Sequence, residues 1–143
     1  SASVDEITLH VPASERLRVD ERGIPSGQRI DVADTEFDFR ADRILGETQL
    51  DTVFTTFERD EFGCASVLLR SAATAGVVRV WMDEHHPYLM LFTGDELPEG
   101  KQRTSIAVEP LTCAPNAFNN GEGLVLLSPG QRMVSTWGIS VEA

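Results

Sequence analysis

The run Thr104-Ser-Ile-Ala-Val-Glu109 alternates polar and apolar residues up to a carboxylate, and Pro110 follows at once. Proline holds the residue before it extended and cannot donate to a ladder, so the sequence predicts a strand that closes on Glu109. Behind it comes Leu111-Thr-Cys-Ala-Pro-Asn-Ala-Phe118, a small, apolar loop. Such a loop would lower the dielectric around the acid and suit it to taking a proton as a general base. The plain alternative is a solvated or salt-bridged residue at a strand end. Asp51 is the second acid of interest, lying between Leu50 and Val53-Phe54 in an apolar, β-branched run. An acid there either sits at the strand's edge facing water or meets something polar, such as a ligand hydroxyl.

Other chemistry is thinly represented. The three histidines are His10, on an expected strand, and the pair His85-His86 before Pro87. Neighbouring residues of an extended chain point to opposite faces, so the pair reads as a polar turn rather than a two-histidine metal site. No GxGxxG, P-loop, HExxH or GxSxG motif occurs, and Cys64 and Cys113 form neither a CxxC nor a disulfide framework. Both cysteines are expected as buried thiols in a reducing, cytoplasmic compartment. No metal and no cofactor is expected.

The elements that would position these acids are strands. Met133, Trp137, Ile139 and Val141 share one face of an alternating run over 133–142. Gly63–Arg70 and Gly76–Met82 are expected to form a hairpin connected through Ser71–Ala75. Further strands are expected at Glu6–His10, Leu17–Asp20, Leu50–Glu58, Tyr88–Thr93, Thr104–Val108 and Leu124–Leu127. Turn signals separate them at Pro25-Ser-Gly27, Pro98-Glu-Gly100, Asn119–Gly123 and Pro129-Gly130, and only Asp38–Leu45 suggests a short helix or 3₁₀ turn. Many short strands so punctuated predict an all-β antiparallel sandwich or barrel.

Composition narrows the partners. The 143 residues carry 12 Lys plus Arg against 23 Asp plus Glu, a net charge of −11 with 41% apolar residues. That is a globular composition of one-domain length, and its charge repels nucleic acid and anionic lipid. No apolar stretch is long enough for a membrane helix, and SASVDEITLH has no basic-then-apolar leader pattern.

Taken together, these stretches resemble the carboxyl-terminal half of the aldose 1-epimerase (galactose mutarotase-like) family. Ile106-Ala-Val-Glu-Pro-Leu-Thr-Cys-Ala-Pro-Asn-Ala-Phe118 is similar to the family's "aiEPmtcpPnAf" segment, and Gly121–Gly130 with Ser135–Ile139 to its "L.PGe…w.i" ending. Arg22–Gly27 and Phe37–Arg40 resemble "GiPtG" and "yDFR", Leu50-Asp51 the "lDhcf"-type segment, and Trp81–Asp95 the "vwmd…yPylqvfTgd" strand. The resemblance implies a β-sandwich of the mutarotase type, with residues 1–143 as its C-terminal portion. It implies Glu109 as catalytic base, Asp51 as a ligand of sugar hydroxyls and Met90 at a position that can touch the sugar. The substrate implied is a monosaccharide. Many galactose mutarotases carry Gln where Met90 stands, and Asp51 is followed by Thr52 rather than His. The "EPmtcpPnAF" form is similar to the bacterial branch that includes sulfoquinovose mutarotases. A sulfonated or phosphorylated sugar would need a cation, for which Arg40, Arg79 and Arg103 are candidates. A sugar-binding module of the same fold is a further alternative. The general-acid His, a second substrate His and an Arg belong to the half that precedes this chain in the family, so a separate N-terminal piece is the expected partner. Alone, the chain is expected to expose sheet edges and an apolar face.

Overall fold

A computed structural model describes residues 3–71 and 76–142. Residues 72–75, in the expected hairpin connection, lie outside the described residues. Among the described residues, ten strands form two antiparallel five-stranded sheets. Sheet I has the order β10 (Trp137–Glu142), β7 (Val77–Met82), β6 (Ala65–Ser71), β1 (Ile7–His10), β4 (Arg43–Ile44). Sheet II has the order β3 (Pro25–Asp31), β2 (Ala13–Val19), β5 (Asp51–Phe57), β8 (Tyr88–Phe92), β9 (Ala107–Leu111). The expected all-β antiparallel sandwich is therefore the observed architecture.

The core lies between the sheets, because period-two alternation sends one side of each strand inward. Leu9, Val67, Val80 and Met82 from sheet I meet Phe54, Leu89 and Leu91 from sheet II. The opposite side of sheet II carries a smaller cluster of Leu17, Val53, Tyr88 and Ala114, with Met90 and Leu111 against it.

Several expectations need correction. Pro25-Ser-Gly27 opens β3 instead of turning the chain. The turn comes earlier, where the Asp20 carboxylate accepts the N–H groups of Arg22 and Ile24, each at 2.9 Å. Asp38–Leu45 holds no helix; its end forms β4, pairing Thr8 with Ile44 and Leu9 with Arg43. Leu124–Leu127 is not a strand, because it has no neighbouring strand to complete a ladder. Glu109 does not close its strand: β9 runs through Pro110, which stands opposite Leu89. Proline is tolerated there because β9 is the outermost strand, where alternate N–H groups face away from the sheet. Cys64 and Cys113 are free but only half-buried, since both sit in loops flanking strands rather than in the core.

At the other end of sheet I, the register of β10 sets Trp137, Ile139 and Val141 opposite Met82, Val80 and Val78. Those three side chains thus extend the core-facing side of the sheet past the reach of sheet II. They stay 52%, 63% and 73% exposed.

Candidate functional site

Register brings the three sequence-predicted residues to one side of sheet II. Glu109 stands opposite Met90, and Met90 opposite Val53. One row further along, Asp51 stands opposite Phe92, which stands opposite Ala107. Cross-strand partners share a face, so Asp51, Met90 and Glu109 all lie on the side turned away from the main core. Met90 is half-buried between two exposed acids.

Neither Asp51 nor Glu109 makes a side-chain hydrogen bond or ion pair among the described residues, unlike Asp38, Asp83 and Asp95. The apolar loop does not enclose Glu109, which is exposed. After Leu111 the loop bends over Tyr88 instead, burying Ala114 beside Leu17 and Val53. The desolvating wall expected around the acid is therefore absent from these residues. Chemically, the face offers one carboxylate free to exchange a proton and another free to accept hydrogen bonds from hydroxyls.

Asp51 owes its placement to a buried threonine, which the sequence reading did not single out. Thr93 Oγ1 accepts the Leu50 N–H at 2.9 Å and donates to the Asp95 carboxylate. Asp95 in turn takes Arg103 Nη1 at 2.6 Å, while Arg103 Nε reaches Asp5 at 2.6 Å and Nη2 the Gly46 carbonyl at 2.7 Å. Burial pushes the Asp95 carboxyl up, but the Thr93 and Arg103 hydrogen bonds outweigh it and hold it below its ordinary range. The fixed strand entry and this clamp frame a cavity of about 70 Å³ lined by Gln49, Leu50, Asp51, Phe92, Asp95 and Glu96. Sites that engulf a ligand usually measure about 300–1,000 Å³, so this cavity is too small to engulf one by itself.

The cations considered for an anionic sugar are engaged elsewhere. Arg40 is held by Asp38 at 2.7 and 2.9 Å, Arg79 lies between Asp60 and Glu142 in sheet I, and Arg103 is the clamp just described. Arg29 is the cation that register brings to the Glu109 side, through its pairing with Leu17. Its single carboxylate partner, Glu15, is 3.8 Å away.

No described strand of sheet II carries a histidine. His10 is on β1, 3.7 Å from Asp42. His86 is buried in the polar turn before β8, as expected, with Nδ1 2.9 Å from Asp83. Among the described residues no cluster of three His, Cys, Asp or Glu side chains could hold a metal ion. No described helix is long and apolar enough to cross a membrane.

Comparison with known proteins gives this geometry a context. Residues 1–140 match the aldose 1-epimerase family. The uncharacterized protein YihR of Escherichia coli K12 is 30% identical over 131 residues, covering 90% of this chain and 38% of that protein. A galactose mutarotase-like protein from Clostridium acetobutylicum superposes with a TM-score of 0.77 at 14% identity, over 97% of this chain and 42% of that one. A galactose 1-epimerase from Lactobacillus acidophilus gives 0.59 at 23% identity, over 76% and 36%. The chain thus spans less than half the length of each of these relatives.

Proposed function

The chain belongs to the aldose 1-epimerase family, and from that premise we propose that it supplies the base and part of the sugar-binding wall of a mutarotase. Glu109 takes the proton from the anomeric hydroxyl of a hexose while an acid from outside these residues protonates the ring oxygen. The ring opens, the C1–C2 bond rotates, and closure on the other face of the carbonyl gives the other anomer. Each group must give and take a proton in turn, which a solvent-connected carboxylate can do. Asp51 accepts hydrogen bonds from sugar hydroxyls, and Met90 lies under the ring between the two acids. Met90 offers no hydrogen bond, which argues against a substrate recognised by a polar group at that point.

One observation carries the reading: Glu109, Met90 and Asp51 share one side of sheet II, and both acids lack a partner among the described residues. The 70 Å³ cavity and the uncovered Trp137, Ile139 and Val141 support a second part of the site and core, contributed by an N-terminal portion of the enzyme. The free thiols Cys64 and Cys113 support a reducing, cytoplasmic setting. The test is Glu109→Gln in the complete enzyme, with anomer interconversion followed by polarimetry; near-normal rates would refute the assignment.

Arg29 favours a second substrate reading, an anionic sugar such as a hexose 6-phosphate or a sulfonated hexose. Competition between neutral and anionic hexoses separates the two. A non-catalytic sugar-binding module would bind without interconverting anomers, and the same Glu109 assay excludes or establishes it.

A further inference from the structure

The loop that leaves β9 two residues after Glu109 is tied to sheet II by a side-chain hydrogen bond, and that bond lies in the row next to the acid. Tyr88, the chain's one tyrosine, stands opposite Leu111 on the same side of sheet II as Met90 and Glu109. Its hydroxyl donates to Glu122 Oε1 at 3.1 Å, across the loop's far end. The loop's neck is closed above the ring: the Ala114 N–H meets the Glu122 carbonyl at 3.3 Å. Gly123, with φ at +72°, lies so close that a Cβ there would stand 3.1 Å from Tyr88 Cε2 and 3.2 Å from Cys113 Cα. Burial first, and then the Glu122 charge, push the Tyr88 phenol up, with Arg29 opposing, so the hydroxyl keeps its proton and remains the donor.

We propose that the Tyr88–Glu122 hydrogen bond is a positioning device for the sugar site, holding the 112–123 loop over Tyr88, one row of the sheet from Glu109. The inference rests on the reading of Glu109 as the base of a sugar site. Tyr88 touches neither the reacting atoms nor Glu109. Its effect passes through the loop, and it should govern how well the sugar is held rather than how fast the proton moves. A hydrogen bond to a charged acceptor is strong enough for its loss to free such a loop.

The experiment uses the full-length enzyme and three variants, Tyr88→Phe, Glu122→Ala and Glu122→Gln, with kcat and KM for anomer interconversion and a thermal melt for each. Tyr88→Phe and Glu122→Ala should raise KM roughly tenfold with kcat within about threefold, while Glu122→Gln, which keeps the acceptor oxygen, stays near the parent. An unchanged KM, with or without a lowered melting temperature, would overturn the proposal and leave Tyr88 as a purely structural residue. A fall in kcat at constant KM would overturn it equally, by giving Tyr88 a part in the chemical step. Glu109→Gln measured alongside keeps the two ideas apart: if it stays active the assigned base is wrong, whatever the Tyr88 variants do.

Discussion

Sheet II turns outward a face on which Asp51 and Glu109 have no partner among the described residues, while sheet I leaves bare a stripe of Trp137, Ile139 and Val141 on the side that elsewhere forms the core. Both surfaces are open, but they differ in what would satisfy them. Unpaired carboxylates at ordered backbone positions suit a small hydroxylated ligand, whose donors they can accept. An apolar stripe that continues a core in register suits more protein. The contrast also separates two kinds of acid in one chain. Asp38, tied by the Arg40 side chain, has its carboxyl lowered to about 2 and is a scaffold group. Asp51 and Glu109 carry no such tie.

The largest expected effect is at Glu109. Glu109→Gln should lower kcat by about 10²–10⁴, the usual share of one positioned acid–base group. A normal rate would turn the polar face into ordinary solvated surface. Asp51→Ala in the complete enzyme should reduce kcat/KM roughly 10- to 100-fold, the worth of hydrogen bonds to a charged acceptor, with steady-state kinetics as the check. On the apolar side, the 143-residue chain expressed by itself should associate in sedimentation velocity. Ile139→Glu should weaken that association about tenfold, since a buried Ile contributes some 1.5–3 kcal/mol; a monomeric parent chain would break the comparison. The smallest effect concerns Asp83, whose carboxylate accepts the Thr136 N–H at 2.6 Å just ahead of β10. Burial raises this carboxyl, but the hydrogen bonds from Thr136, His85 and His86 bring it below the ordinary 3.8. A carboxyl lowered on folding stabilises the native state fully above its unfolded value, and that stabilisation is lost as pH falls through the folded value. Acid melts of Asp83→Asn should therefore show a shallower decline below about pH 4 than the parent.

Much of this was legible in the residues themselves. The alternation in β10 and the apolar, β-branched run of β5 marked them as strands, while it took the register of β5 on β8 to put Asp51 and Met90 on one side. What stayed hidden depended on neighbours. Pro25 and Gly27 look like turn residues until β2 supplies a ladder for them. Leu124–Leu127 looks like a strand and lacks only a partner. The shielding expected around Glu109 failed because composition cannot say which way a loop bends, and this one bends onto Tyr88. The Thr93–Asp95–Arg103 chain behind Asp51 was equally invisible, since it joins residues as far apart as Asp5 and Arg103.

Pro110 has a consequence for how the chain misassembles. It removes one donor from the outer flank of β9, the flank to which a foreign strand would have to bind. An edge of the other sheet, on β10, runs from Trp137 to Glu142 with no proline to interrupt it. Templated growth of an ordered aggregate is therefore blunted beside Glu109 and freer beside Trp137. A short peptide that caps β10 should slow it more than one that caps β9.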